Sequence, residues 1–414
     1  MTQADRIIAI QEIKNNPDSK TEEVRIINYN GEIKPYPVYL IPLEYLVYNV
    51  VNGRIRSRTR SHEERFGALD PSNDDDATII EQFLFDSAKG RNEKTLESIE
   101  EIGQQESGII TEDGVVIDGN RRSLLLRMIN RKNNSNTKFK AVILEDKLQD
   151  NIQEIIKLET SYQMGVDSKV DYNPIEKYIR CKELNEYYSI QQISSIMAED
   201  EKKINSWLEI LNLMDNYLTY TGTPNVYTKL DKKEGHFVDL VQYIRNYAGG
   251  NNNVNWEYSD ADVTKLRNIY FDYIRLGVPV MNARIIARPN LSRSFFCHHD
   301  IWSSFVQERD NIIDNVQEIS LQKLREDNPE ETNESLIKQV EDNWKEQVEA
   351  PLNEIFLYYS GVIDDFIADY APLRLLQRAR NSLSRIDLEK LNHIRDNEIN
   401  LLIGEIEAII HKIK

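Results

Sequence analysis

Strand-type spacing of apolar residues stops near residue 148, and no other feature constrains the fold of this chain as much. Before that point, short apolar or alternating stretches lie between turn residues. After it, apolar residues recur three and four positions apart, the spacing of a helix buried along one face. The sequence therefore predicts an α+β fold: a mixed domain over residues 1–150, a helical segment over 151–218 and an all-helical C-terminal domain over 219–414. With 414 residues, 40% of them hydrophobic, the chain is long enough to fill several cores.

Within the first part, residues 5–14 read as a short strand or helix. Asn30-Gly31 reads as a hairpin turn, and 36–46 as a strand that turns at Pro42. Helices are expected over 77–88 and over the stretch ended by Gly103. GIITEDGVVIDG reads as a hairpin with Asp113-Gly114 at its tip, followed by a helix from Gly119 to about Arg131 and a strand over 139–146. Beyond 148, Asn173-Pro174 marks a helix start, and 189–214 reads as helix, short turn, helix.

No run of about 18 apolar residues is present, so no membrane-spanning helix is expected. MTQADRIIAIQEIKNN lacks the basic-then-apolar plan of a secretory signal. Two distant cysteines, Cys181 and Cys297, exclude a disulfide framework and suit a reducing cytoplasm. A net charge of −18 repels nucleic acid on average, so any contact with DNA has to rest on a local basic patch.

The junction Asp118-Gly119-Asn120-Arg121-Arg122 sits where a strand gives way to a helix. A helix start offers unpaired N–H groups and partial positive charge, and glycine lets an anion approach the backbone. Adjacent arginines add forked donors matched to phosphate oxygens. The plainer alternative is that Arg121 and Arg122 are solvated residues of an amphipathic helix, and Asp118 a turn residue or cap.

TLESIEEIGQQESGIITEDGVVIDGNRRSLLLRMIN resembles the N-terminal domain of ParB-type partition proteins, in which a glycine-ended helix leads to a hairpin and a Gly-Glu-Arg-Arg box. IPLEYLVYNVVNGR, KLETSYQ, NPIEKY and the helix pair at 189–214 follow the order of that family's further elements over residues 36–218. The resemblance implies a ParB/sulfiredoxin-like fold that binds a nucleoside triphosphate, CTP or ATP, with Mg2+. It implies that Gly119, Asn120, Arg121 and Arg122 hold phosphates beside Asn49, Asn52 and Arg54, and that Glu159 serves the metal-bound triphosphate or its hydrolysis. Sulfiredoxin has a cysteine where Asn120 stands, so sulfinic-acid repair by that thiol is excluded. The chain departs from the partition proteins at Asn120, Leu124 and Thr160, where they carry glutamate, often arginine, and asparagine. DGNRR is also similar to the Asp-Gly-Gln-Gln-Arg motif of nucleotide-dependent phage-defence proteins, which makes Asp118 a second candidate for magnesium or for orienting water.

Arg54, Arg56, Arg58 and Arg60 alternate, and in an extended segment they would share one face, a stripe suited to the phosphates of nucleic acid or of a nucleotide, with a solvated, mobile loop as the plainer alternative. In the expected helix-turn-helix, Lys202, Lys203 and Asn205 are the candidate DNA contacts, although Glu199, Asp200, Glu201 and Glu209 lie among them. Consecutive residues in FCHHD (296–300) do not suit a metal site. The C-terminal helices are expected to form a helical core, part of it a surface for a homodimer or a protein partner. Taken together, the readings are a nucleotide-binding protein with slow NTPase activity, a DNA-binding protein without turnover, and a nuclease-type defence effector.

Overall fold

The computed structural model describes residues 1–166, 173–250, 253–290, 293–384, 386 and 397–413. A mixed N-terminal sheet region is followed by a mostly helical remainder, as the change of apolar spacing predicts. The chain forms two compact units. The first comprises Met1–Asn251, Tyr258–Arg284 and Val316–Gln347; the second comprises Asn252–Glu257, Ile285–Asn315 and Val348–Lys414.

The first unit opens with α1 (Gln3–Asn15), whose Thr2–Asp5 capping box closes its first turn. β1 (Lys20–Tyr29) and β2 (Glu32–Ile41) form a hairpin around Asn30-Gly31, both residues in the left-handed region. β3 (Val47–Tyr48), α2 (Arg56–Phe66), α3 (Asp74–Asp86), α4 (Lys89–Ile102), β4 (Gly108–Ile110), β5 (Val115–Asp118), α5 (Asn120–Asn133) and β6 (Phe139–Ile143) complete the mixed part. The strand order is β1-β2-β6-β4-β5-β3. One face of the sheet packs Ile41, Ile110, Phe139 and Ala141 against Ile10, Ile99, Leu125 and Leu126 of the helices. The other packs Val38, Ile109, Ile117 and Val142 against Ile155 and Leu158 of α6 (Ile152–Thr160).

One pairing in this sheet positions the site. β3 and β5 are parallel neighbours, Val47 opposite Val115 and Tyr48 opposite Val116. The segments that follow them, residues 49–54 and 119–122, therefore leave the sheet at the same end and lie side by side.

The helical part of the first unit contains α7 (Pro174–Asn185), α8 (Ile190–Met197), α9 (Glu201–Tyr220), α10 (Glu234–Ala248), α11 (Asp260–Leu276), α12 (Val280–Ala287), which also runs into the second unit, and, after α13 (His299–Ile313) of that second unit, α14 (Leu321–Asp327). Asn173 caps α7 as its sequence predicts. α8 and α9 form the expected helix pair, with Ala198 taking the left-handed turn position where glycine is absent. Ile193, Met197, Ile204, Trp207 and Leu211 are buried between them, whereas Ile190, Ile196 and Leu208 are only half-buried. α15 (Asn333–Leu383) and α16 (Asn397–Ile413) contribute the remaining helices.

In the second unit, Phe295 packs edge-on to Phe305, and the Tyr359 hydroxyl donates to Glu308 at 2.7 Å. On α15, Ile355 and Ile363 are buried, but Leu357 is exposed. Leu401, Leu402, Ile409 and Ile413 of α16 are also exposed. No helix among the described residues is long and apolar enough to cross a membrane.

Candidate functional site

At the end of β5 the chain turns through Gly119, at φ +100°, into α5. A Cβ here would stand 2.8 Å from Phe139 Cζ, so both conformation and space require glycine. No side chain caps α5, and its first turn lines a cleft of about 210 Å3. Asn52, Arg54, Asp118, Gly119, Asn120, Arg121 and Arg122 line this cleft, all of them residues the sequence singles out. Leu84, Thr95, Glu106, Tyr162 and Gln163 complete the lining.

The charge of the cleft is unbalanced around Arg121. Its Nε donates to Asn92 Oδ1 at 2.6 Å, and no carboxylate among the described residues pairs with it. Burial, with repulsion from Arg54, Arg91 and Arg122, pushes its guanidinium down to about 10. Arg122 is held differently. Its Nη2 lies 3.2 Å from Asp118 Oδ2, and its Nη1 donates to the carbonyl of Glu106. Arg25 of β1 reaches the same Asp118 oxygen at 3.0 Å and lies over the Tyr162 ring at 4.5 Å. Asp118 Oδ1 has no hydrogen bond among the described residues.

Asn120 is buried with its amide used internally: Oδ1 accepts from Asn49 N at 3.0 Å, and Nδ2 donates to the Val116 carbonyl at 2.6 Å. It joins the two strand ends instead of offering a side-chain contact. Asn49 Oδ1 accepts from Val51 N, and Asn52 Oδ1 from Arg54 N, so both shape the loop.

Glu159 does not line the cleft. Fully buried, it accepts from Gly53 N at 3.1 Å, Gln163 Nε2 at 2.8 Å and Arg180 Nη2 at 3.1 Å, with Asn49 Nδ2 at 3.5 Å. Burial raises its pKa, and Arg180 and the Gly53 N–H oppose that rise. These donors contact both carboxylate oxygens, and through Gly53 and Asn49 the carboxylate holds the 49–54 loop.

The arginine stripe does not form as one extended face. Residues 56–66 are helical, not extended, so alternate arginines do not share a face. Arg56 and Arg60, one turn apart, both bind Glu183 Oε1, at 2.8 and 2.9 Å. Arg58 is half-buried beside a different cavity. On α9, Lys203 pairs with Glu199 at 2.6 Å and Asn205 donates to the Glu201 carbonyl, while Lys202 is exposed. Arg127 donates to the Leu43 and Leu46 carbonyls and stays outside the cleft.

Sequence reasoning missed Arg25, Arg91, Asn92, Tyr162 and Gln163. Tyr162 and Gln163 sit in a π-helical turn, Ser161–Val166, that continues α6. Among the described residues no group of three or more His, Cys, Asp or Glu is placed to hold a metal ion. Magnesium needs less, since one carboxylate and phosphate oxygens suffice, and Asp118 Oδ1 fits that role.

No family model matches the chain. A stretch of 77 residues, 19% of the chain, is 35% identical to a phosphoribosyl imidazole-4-carboxamide isomerase of Saccharolobus solfataricus. The match spans 29% of that isomerase.

Proposed function

We propose that the chain is a nucleotide-handling protein of the ParB/sulfiredoxin-like kind, whose cleft takes the polyphosphate of a nucleoside triphosphate, CTP or ATP, with Mg2+. One observation carries this reading: the Arg121 guanidinium is half-buried at an uncapped helix start, without a carboxylate and near three other arginines. An arrangement that costs free energy when empty is relieved by an anion of several charges. Arg121, Arg122 and the first N–H groups of α5 are the phosphate-binding groups, and Arg54 stands on the facing loop. Asp118 Oδ1 and the phosphates would hold magnesium, which supplies charge neutralisation at the leaving oxygen.

Asp118 is also the candidate to orient water for slow hydrolysis, because Arg25 and Arg122 hold its Oδ2 in place beside the cleft. The internal pairing of Arg56 and Arg60, and of Lys203, supports nucleotide over a DNA-only reading. Coupling to DNA or a protein partner belongs to the α8–α9 pair, where Lys202 is exposed. A thermal-shift panel of the four nucleoside triphosphates with magnesium tests the reading. A rise in melting temperature with one base over the others supports it and names the ligand; no rise with any of them overturns it.

A further inference from the structure

A second cavity of about 530 Å3 lies in the same unit and takes no part in the arginine cleft. Its size falls within the range of small-molecule sites. Its walls are α2, α3, residues 226–228 and the start of α15. Ser61 ties three of these together: its Oγ accepts from Thr228 N at 3.1 Å, and its carbonyl accepts from Asn333 Nδ2 at 3.4 Å. The cavity is thus built by hydrogen-bonded walls and is formed before any ligand enters.

Three rings line it. His62 lies 4.9 Å from Phe66 and 6.2 Å from Phe83, centroid to centroid. Burial holds His62 below its ordinary value, so at neutral pH it presents an uncharged ring. The charged groups are Arg58 against Asp76 and Glu334, a balance that disfavours a phosphate. Asp76 Oδ2 accepts from Asp70 N at 2.8 Å, while its Oδ1 has no hydrogen bond among the described residues and remains an acceptor.

We propose that this cavity binds an uncharged planar heterocycle bearing an amino group, of the nucleobase or nucleoside class, stacked on Phe66 and Phe83 and donating to Asp76. Base–aromatic stacking and one carboxylate acceptor suit this class, and the acidic balance selects against its phosphorylated forms.

Calorimetric titration of the full chain with adenosine and with cytidine tests the proposal. At least one should bind saturably with a dissociation constant on the order of 0.1 mM. Phe66→Ala, at a half-exposed position that leaves the fold intact, should weaken it about tenfold. Asp76→Asn should weaken it about fivefold, and Arg121→Met should leave it unchanged. Absence of saturable binding by both nucleosides overturns the proposal. So does binding that Phe66→Ala leaves intact, or binding that Arg121→Met abolishes, which would place the nucleoside in the arginine cleft.

Discussion

Arg180 Nη2 lies 3.1 Å from Glu159 Oε2 and donates to the Val51 carbonyl at 2.8 Å, with both side chains almost wholly inaccessible to water. Since Glu159 also accepts from Gly53 N, this pair fastens the 49–54 loop from both sides. The loop carries Asn52 and Arg54 into the cleft, so a salt bridge outside the cleft sets the position of its facing wall.

Arg180→Met should therefore destabilise the protein by about 3–5 kcal/mol, the usual result of leaving one buried charge without its partner. Urea denaturation monitored by circular dichroism measures this. Glu159→Gln keeps acceptance from Gly53 and should cost less, which separates positioning from charge.

Arg121→Met should act in the opposite direction on stability. Its guanidinium is pushed down to about 10 in the fold, so carrying the charge disfavours the folded state at every pH below that value, and the penalty fades as pH rises from about 10 towards 12.5. At neutral pH the substitution should stabilise the ligand-free protein by about 1 kcal/mol, allowing for partial solvent screening and the lost bond to Asn92. Differential scanning calorimetry without nucleotide checks the sign.

Glu176 gives a pH dependence. Its carboxyl accepts from the N–H and Oγ of Ser57, near Arg180 and Glu183, and burial raises its pKa from 4.5 to about 7. The fold thus favours the protonated form. Its contribution is complete below pH 4.5 and is lost as pH rises to about 7. Wild type should lose stability relative to Glu176→Gln across that window, by a few kcal/mol at most, in denaturation series at pH 5, 6, 7 and 8.

Gly119→Ala should lower stability by about 1–3 kcal/mol, since alanine at φ +100° is strained and its Cβ meets Phe139. Nucleotide affinity should fall with it, because the first turn of α5 has to shift. A thermal melt with and without Mg-nucleotide measures both.

Local chemistry made much of this legible in sequence. Asn30-Gly31, Asp113-Gly114, Gly119 and Asn173-Pro174 each dictate a turn or cap within a few residues, and the strands and helices beside them lie where their spacing predicts. The adjacent Arg121 and Arg122 marked the cleft for the same reason. What was not legible depends on partners distant in sequence. Arg56 and Arg60 look like a free stripe until Glu183, more than 120 positions later, is brought against them. Arg25 gains its role by facing Asp118 across 93 positions. Glu159 resembles a catalytic carboxylate because nothing near it in sequence shows that Arg180 and Gly53 will occupy it.

Calorimetric titration of Mg-CTP and Mg-ATP into wild type and Arg121→Met measures whether Arg121 neutralises a nucleotide polyphosphate. One nucleotide should bind the wild type at a single site, and the variant should bind it about 10- to 100-fold more weakly, the effect of one charged hydrogen-bonding group. Equal affinity in the two proteins, or no binding heat in the wild type, would contradict the account.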